Sequence, residues 1–225
     1  NMLKRRIIAV VVVSGSIAVQ SIGFRKYLPL GRPEIAVEYL ARWGVDEIIL
    51  VDISASRDGR GPNNEMVRRV AKNCHVPLTV AGGIKSVRHI GELLSSGADK
   101  VCINHAARSK PSFITDAANR YGNQCVVASI DVALDKNYNP WVYDYLQSNL
   151  TEETPIDQAS WMQEAGAGEI LLNSVERDGS SLGFDNGLIS SVLGATTIPI
   201  IAVGGAGMPA HFSESFSATG ISALA

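Results

Sequence analysis

The sequence predicts an α/β fold, a TIM (β/α)8 barrel built from two similar half-barrels (about 1–120 and 121–225) within one domain over residues 1–225. The sequence contains an internal repeat: residues 47–52 and 76–83 resemble residues 169–174 and 198–205, with an offset of 122 at both ends (169 − 47 and 204 − 82). Short apolar runs alternate with stretches of helical period, as in a parallel α/β sheet. A chain of 225 residues, 46% of them hydrophobic, can fill one such core.

Eight apolar, mostly β-branched runs are the predicted strands, because runs of this length and composition are typical of strands buried on both faces. They cover residues 7–13, 47–52, 78–80, 100–104, 125–131, 169–173, 198–203 and 221–225.

A helix is predicted after each of the first seven strands, at residues 32–44, 63–73, 87–96, 110–121, 156–165, 185–193 and 209–217. The first has apolar residues at helical spacing, namely Ile35, Ala36, Tyr39, Leu40 and Trp43. Strand followed by helix, repeated around a closed sheet, gives the barrel.

The repeat also predicts that the eighth βα unit is cut short. Residues 97–103 align with residues 219–225, so the sequence stops inside its eighth strand, whereas the first half continues into a helix. We expect the natural protein to continue beyond Ala225.

Composition bears on the partners and on the cellular compartment. The formal net charge is only -2, with both signs mixed along the chain, so no basic surface for nucleic acid is expected. The cysteines (Cys74, Cys102 and Cys125) are odd in number and far apart, which favours free thiols in a reducing compartment over disulfides or a metal site. We therefore expect a cytoplasmic protein without a metal or an organic cofactor.

The segment Lys4-Arg5-Arg6 followed by residues 7–13 has the charged and apolar regions of a signal peptide. The apolar run is short and β-branched, which favours a buried strand, and no stretch is long enough to cross a membrane. We expect neither a membrane nor a nucleic-acid partner.

Two glycine pairs follow predicted strands, Gly82-Gly83 after the third and Gly204-Gly205 after the seventh. Glycine lets the backbone approach a ligand and point its N–H groups at a phosphate, although glycine pairs also serve as plain turns. Two pairs at matching positions of the two halves predict a ligand with a phosphate at each end.

Three carboxylates end strands or follow them: Asp52, Asp131 and Asp178. In this architecture the active face lies at the carboxyl ends of the strands, where burial can shift a carboxyl pKa toward acid/base catalysis. Each could instead hold a turn, which for Asp178, within Arg-Asp-Gly, is at least an equal alternative. Asp131 ends a mostly apolar run and is the best candidate for chemistry.

Four charged residues stand at strand starts: Arg6, Glu47, Lys100 and Glu169. Two are positive and two negative, so they should meet as a ring at the amino-terminal mouth of the barrel. Such a ring is either a salt-bridge cluster that closes the core or a gate over the barrel axis.

Several motifs resemble the cyclase subunit of imidazole glycerol phosphate synthase across nearly the whole chain. They are Lys-Arg-Arg-Ile-Ile (4–8), Val-Asp-Ile-Ser-Ala-Ser (51–56), Leu-Thr-Val-Ala-Gly-Gly-Ile (78–84), Gly-Ala-Asp-Lys-Val-Cys-Ile-Asn (97–104), Gln-Cys-Val-Val-Ala-Ser-Ile-Asp (124–131), Gly-Ala-Gly-Glu-Ile-Leu-Leu-Asn-Ser (166–174) and Gly-Gly-Ala-Gly (204–207).

The resemblance implies a bisphosphate substrate and a glutaminase partner on the amino-terminal face, whose ammonia crosses the barrel to form imidazole glycerol phosphate and an aminoimidazole carboxamide ribotide. It implies that Asp131 is catalytic and that Arg6, Glu47, Lys100 and Glu169 gate the ammonia. Substrate contacts are expected at Asp52, Gly82, Gly83, Asn104, Asp178, Gly179, Gly204 and Gly205.

The departures from the family pattern fall in the active site. Val12 stands where the family has its other catalytic aspartate, Gln20 replaces a loop lysine, Ala81 replaces a glycine, and His105 follows Asn104. Cyclisation needs a proton donor and a proton acceptor, and valine is neither. His105 is a candidate replacement, although a lone histidine at a loop start is more often a surface hydrogen-bonding residue.

Three alternatives follow from these departures. The chain could resemble a subgroup encoded with surface-polysaccharide genes, passing ammonia to a sugar amidotransferase that makes acetamidino sugars. It could be a catalytically silent scaffold and ammonia conduit. It could also be the sugar-phosphate isomerase of histidine biosynthesis, against which the charged ring and the Ser-Ile-Asp strand argue.

Overall fold

The computed structural model describes residues 4–225. Its strands are β1 Arg6–Ser14, β2 Ile17–Ile22, β3 Lys26–Gly31, β4 Glu47–Asp52, β5 Leu78–Ala81, β6 Lys100–Ile103, β7 Val126–Leu134, β8 Pro140–Asp144, β9 Asn149–Leu150, β10 Glu169–Ser174, β11 Ile200–Val203 and β12 Ala223–Leu224. Its α-helices are α1 Pro33–Arg42, α2 Ile53–Arg57, α3 Asn64–Ala71, α4 Val87–Ser95, α5 His105–Ser109, α6 Phe113–Tyr121, α7 Pro155–Glu164, α8 Asn186–Leu193 and α9 Pro209–Thr219.

Eight of these strands form a closed parallel barrel, which confirms the predicted fold. The hydrogen-bonded order runs β1-β4-β5-β6-β7, and β7 also pairs with β10, which leads through β11 and β12 back to β1. The two-residue strand β12 closes the circle, because Ala223 pairs with Arg6 on one side and with Ile201 on the other. The predicted boundaries of the barrel strands and of the seven predicted helices agree with the structure to within three residues.

The inside of the barrel is filled by one buried apolar residue from each strand. These are Ile8, Ile49, Ala81, Cys102, Val127, Leu171, Ile201 and Ala223. Because side chains alternate across a strand, the residues between them point outward and pack under the helices in the larger core. The interior is thus a packed layer of side chains, and it supports the residues at both mouths of the barrel.

Two hairpins were not predicted. The antiparallel strands β2 and β3 follow β1, and β8 and β9 follow β7, so each half-barrel carries a hairpin after its first strand. Their sequences lack a clear alternation of apolar and polar residues, and β3 is mostly exposed. The short helices α2 and α5 were also missed, because one turn gives no measurable period.

Side-chain caps fix several helix starts close to the barrel rim. The side chain of Asn63 accepts from the backbone N–H of Met66, that of Ser86 from His89, and that of Asp185 from Leu188. Within residues 4–225, no helix is both long and apolar enough to cross a membrane.

Candidate active site

A cavity of about 540 Å³ opens at the carboxyl ends of the barrel strands. Its floor comes from the barrel itself and includes Val10, Val12, Cys102, Asp131 and Asn173. Its walls come from the loops and the two hairpins. The cavity lies where enzymes of this architecture place their active sites.

Asp131 lies on the floor of the cavity and is 5% exposed. One carboxylate oxygen accepts from Asn104 Nδ2 at 2.8 Å and the other from Asn173 Nδ2 at 3.3 Å. Burial raises the pKa of Asp131 to about 6, although both amide hydrogen bonds act in the opposite direction. A carboxyl group with such a pKa can give or take a proton near neutral pH.

Asn104 and Asn173 position this carboxylate from the two neighbouring strands. Asn104 precedes the first residue of α5 after β6, and Asn173 lies within β10. The Oδ1 atom of Asn173 is buried and has no hydrogen-bond partner within the described part of the chain.

Val12 lines the cavity from β1. The same cavity surface therefore holds a carboxylate on β7 and an apolar side chain on β1. Gln20 lies on the exposed side of β2, opposite Leu28, and is absent from the described lining.

Asp52 lies at the cavity wall but is already fully engaged. Its side chain accepts from the backbone N–H of Ser54 and of Ala55, both at 3.1 Å, and pairs with the guanidinium of Arg60 at 2.8 Å. Asp52 therefore caps α2 and fixes the loop that follows β4.

The pair Gly82-Gly83 lines the cavity next to Asp52. Gly82 has φ +105°, and a Cβ at this position would overlap the carbonyl oxygen of Asp52, so only glycine fits. The side-chain hydroxyl of Ser56 accepts from the N–H of Gly83 at 3.2 Å.

Asp178 holds the tip of the first hairpin over the cavity. Its Oδ2 atom accepts from the Ser21 hydroxyl at 2.7 Å and from the Phe24 N–H at 3.3 Å, and its carbonyl accepts from the Gly23 N–H at 3.0 Å. Gly23 and Phe24 both have positive φ, as in the type I′ turn of a tight hairpin. Asp178 thus fixes the position of the hairpin tip, and Gly179 packs against Ser21 and Ile22.

The pair Gly204-Gly205 does not join the described lining of this cavity, nor does Gly179. The carbonyl of Gly205 accepts from the N–H of Gly183 at 2.8 Å, and Gly204 packs against the loop after β10. In this structure the two predicted phosphate loops are therefore not equivalent: the first faces the cavity and the second packs against the loop that follows β10.

Aromatic and basic residues of the walls were missed from the sequence. The aromatic members are Phe24, Tyr27, Tyr143 and Tyr145, and the basic members include Arg57, Lys85 and Lys110. Phe24 and Tyr143, one from each hairpin, have ring centroids 6.5 Å apart. Burial raises the pKa of Tyr145, which therefore stays a neutral hydrogen-bonding group. The aromatic residues escaped notice because the hairpins that carry them gave no signal, and the basic residues because they lie in or beside short helices and loops without a recognisable pattern.

The opposite mouth of the barrel carries the four charged residues as a closed ring. Arg6 pairs with Glu47 at 2.7 Å and with Glu169, while Lys100 pairs with Glu47 at 3.3 Å and with Glu169 at 3.0 Å. Each charge thus has two partners of the opposite sign. The side chains are 8–22% exposed, so the ring lies at the boundary between solvent and the apolar interior.

All three cysteines are free. Cys102 is buried in the cavity floor, and burial raises the pKa of its thiol to about 12. A thiol so far from ionisation is a poor nucleophile at neutral pH, so Cys102 is a packing residue.

The chain matches the family described as histidine biosynthesis protein over residues 6–225. It is 39% identical over 221 residues to the imidazole glycerol phosphate synthase subunit HisF of Streptococcus mutans serotype c (strain ATCC 700610 / UA159). The aligned region covers 97% of this chain and 87% of that protein. It is 41% identical over 227 residues to the HisF subunit of Myxococcus xanthus (strain DK1622), with 99% and 87% covered. It is 44% identical over 224 residues to the protein hisF2 of Vibrio vulnificus (strain YJ016), with 100% and 82% covered. The chain therefore belongs to the histidine biosynthesis protein family, as a homologue of the HisF subunits of imidazole glycerol phosphate synthase.

Proposed function

We propose that this chain is the cyclase-type subunit of a glutamine amidotransferase, in which ammonia from a glutaminase enters at the charged ring and reacts with a bisphosphate in the cavity. The products would be imidazole glycerol phosphate and an aminoimidazole carboxamide ribotide. The observation that carries the proposal is the placement of two sites on one barrel: the ring of four charges at one mouth and the Asp131 cavity at the other.

The names of the relatives support this proposal. Two of them are called subunits of imidazole glycerol phosphate synthase, which favours the cyclase over the related isomerase and implies a second subunit. The glutaminase would dock on the amino-terminal face, because the charged ring lies there, at the mouth of the barrel opposite the cavity.

The interior between ring and cavity suits a small neutral molecule. The layer that separates them is apolar, with Ile8, Ile49, Val127 and Leu171 among its members. Uncharged ammonia crosses such a layer at far lower cost than ammonium, because burying an unpaired charge is expensive. The ring would open by exchanging one of its salt bridges for water.

In the cavity, Asp131 would act as the acid/base group, held by Asn104 and Asn173. The Gly82-Gly83 loop and basic wall residues such as Lys85 would hold one phosphate, and Asp52 would keep that loop in shape. The loop at Gly204-Gly205 would receive the other phosphate only if the loop after β10 that packs against it moved aside.

The proposal is tested by supplying the purified chain with the bisphosphate substrate and free ammonium, and by following both products. Product formation above the uncatalysed rate supports it. If the chain neither binds nor converts the bisphosphate, the proposal is wrong.

A second candidate is favoured by Val12, which places an apolar side chain where a proton-transferring one is needed. In that case the barrel would convey ammonia to another acceptor, such as a sugar amidotransferase of surface-polysaccharide biosynthesis. This candidate predicts no turnover of the bisphosphate by the natural chain and a gain of turnover in Val12→Asp. Robust turnover by the natural chain would contradict it.

A further inference from the structure

We propose that His105 and Asp144 form an acid/base pair that exchanges protons with the ligand in the cavity. The proposal rests on the proposed function for the identity of that ligand, which must carry an electrophilic carbonyl carbon. It assigns this chain a second proton-transferring group in place of the one that Val12 cannot supply.

His105 stands on the same wall of the cavity as Asp131. It is the first residue of α5, and the preceding Asn104 donates its side-chain N–H to Asp131 at 2.8 Å. The His105 side chain lines the cavity and is 38% exposed, so a ligand that reaches Asp131 also meets the imidazole.

The Nδ1 atom of His105 faces Asp144. Nδ1 is buried, makes no hydrogen bond to any described residue and lies 3.8 Å from Oδ2 of Asp144. A carboxylate that faces one ring nitrogen keeps the proton on that nitrogen, so Nε2 is the atom that takes up a second proton, giving the imidazolium, and releases it again.

Asp144 is held firmly enough to orient the imidazole. It is 3% exposed, and its Oδ1 accepts from the backbone N–H groups of Leu146 and Gln147 at 2.9 and 3.1 Å. Its Oδ2 also faces the guanidinium of Arg108 at 3.4 Å, and Arg108 in turn faces Glu153 at 3.8 Å. His105 therefore shares Asp144 with one permanent cation.

The chemistry needs two such groups. When ammonia adds to a carbonyl carbon, the nitrogen lone pair forms the C–N bond and the carbonyl π electrons move to oxygen. The nitrogen must then lose one proton and the oxygen must gain one, so no net proton is consumed. Asp131 as the carboxylate accepts the proton from nitrogen, and the His105 imidazolium delivers its Nε2 proton to oxygen and becomes a neutral ring with Nδ1 protonated. Proton exchange with water then resets both groups.

The pair itself is tested by nitrogen-15 NMR of the histidine rings, which reports the ring nitrogen that carries the proton. His105 is assigned with His105→Gln, and exposed His75 serves as the internal control. Asp144→Asn should move the tautomer balance of His105 away from Nδ1–H, because the carboxylate that holds the proton on Nδ1 is lost, and should leave the His75 ring unchanged. Arg108→Met, a second variant should Asp144→Asn fail to fold, should strengthen the Nδ1–H tautomer. A tautomer balance of His105 that neither substitution changes would overturn the pair.

The role in catalysis is tested with ammonium and the bisphosphate. His105→Gln should lower kcat about 10²- to 10⁴-fold with little change in KM, and should remove one limb of the pH profile. Val12→Asp in the His105→Gln background should restore much of kcat, whereas His75→Gln should behave like the natural chain. A His105→Gln variant with unchanged kcat would refute the catalytic role. If the natural chain shows no turnover at all, the proposed function fails, and the NMR measurement of the tautomer still decides whether the pair exists.

Discussion

Val12 and Asp131 lie on strands β1 and β7, four strands apart in either direction around the barrel, and line the same cavity. They therefore face each other across the place where a ligand would lie. A carboxylate at position 12 would complete two proton-transferring groups on opposite sides of that ligand. The apolar Val12 leaves Asp131 without such a counterpart on β1.

In the His105→Gln background, where the site keeps only Asp131 as an acid/base group, we predict that Val12→Asp raises ammonium-driven turnover of the bisphosphate by about 10²- to 10⁴-fold, the usual gain from a positioned acid/base group. The matched control is Val12→Asn, which has a similar shape and no proton to exchange. Equal turnover in the Asp and Asn variants would show that the carboxylate is not what the site lacks.

The pH dependence of stability should carry the signature of Asp131. Burial raises the pKa of Asp131 to about 6, above the roughly 3.9 of an unfolded chain. At pH values between these two numbers the folded state therefore holds a proton that the unfolded state has lost. Its contribution to stability is therefore fully present below about pH 4 and is lost as the pH rises through about 6. The loss is on the order of 3 kcal/mol at about 1.4 kcal/mol per pKa unit.

This prediction is checked by urea unfolding of the natural chain and of Asp131→Asn from pH 4 to pH 8. The free energy of unfolding of the natural chain should fall relative to that of the variant as the pH rises. Parallel curves for the two proteins would mean that the pKa of Asp131 is not raised.

Breaking the charged ring should lower the free energy of unfolding and, if the ring gates ammonia, the transfer of ammonia from the glutaminase. Lys100→Met leaves Glu47 and Glu169 short of a cation, and we expect a loss of about 2 kcal/mol, below the roughly 3–5 kcal/mol typical of a fully buried pair. Lys4→Met is the control, because the Lys4–Asp46 pair is at the surface and should cost less than about 1 kcal/mol.

If the ring also gates ammonia, Lys100→Met should reduce glutamine-dependent activity in the presence of the glutaminase more than ammonium-dependent activity. Equal loss of both activities would indicate a structural role alone.

Asp178→Ala should free the first hairpin. Removal of the carboxylate that accepts from Ser21 and Phe24 should cost about 1.5–3 kcal/mol locally, as for hydrogen bonds to a charged group. Hydrogen exchange within residues 17–31 should accelerate, while exchange in the barrel strands stays unchanged. An unchanged hairpin would show that contacts such as Phe24 against Tyr143 hold it instead.

The barrel and the positions of Asp131 and the charged ring could be predicted from the sequence because the signals were local and repeated. Asp131 lies late in a buried strand, three residues before the end of β7, and the four ring residues each begin a strand, so the order of residues along the strands placed them at opposite mouths. The hairpins could not be predicted, since their stability comes from contacts such as Ser21 with Asp178, 157 positions away in the sequence.

The pairing of His105 with Asp144 could not be predicted for the same reason. His105 was visible as a departure from the family pattern, but its partner lies at the end of an unpredicted strand, so their proximity appears only in three dimensions. The inequivalence of the two glycine loops likewise appears only in three dimensions, because it depends on the packing of Gly204 and Gly205 against the loop after β10.

The most direct test of the central claim is incubation with nitrogen-15 ammonium and the bisphosphate, comparing the natural chain with Asp131→Asn. We predict nitrogen-15 in imidazole glycerol phosphate made by the natural chain, and at least about a 10²-fold loss of its formation in Asp131→Asn. Absence of labelled product from the natural chain, or equal labelling by both proteins, would contradict the account.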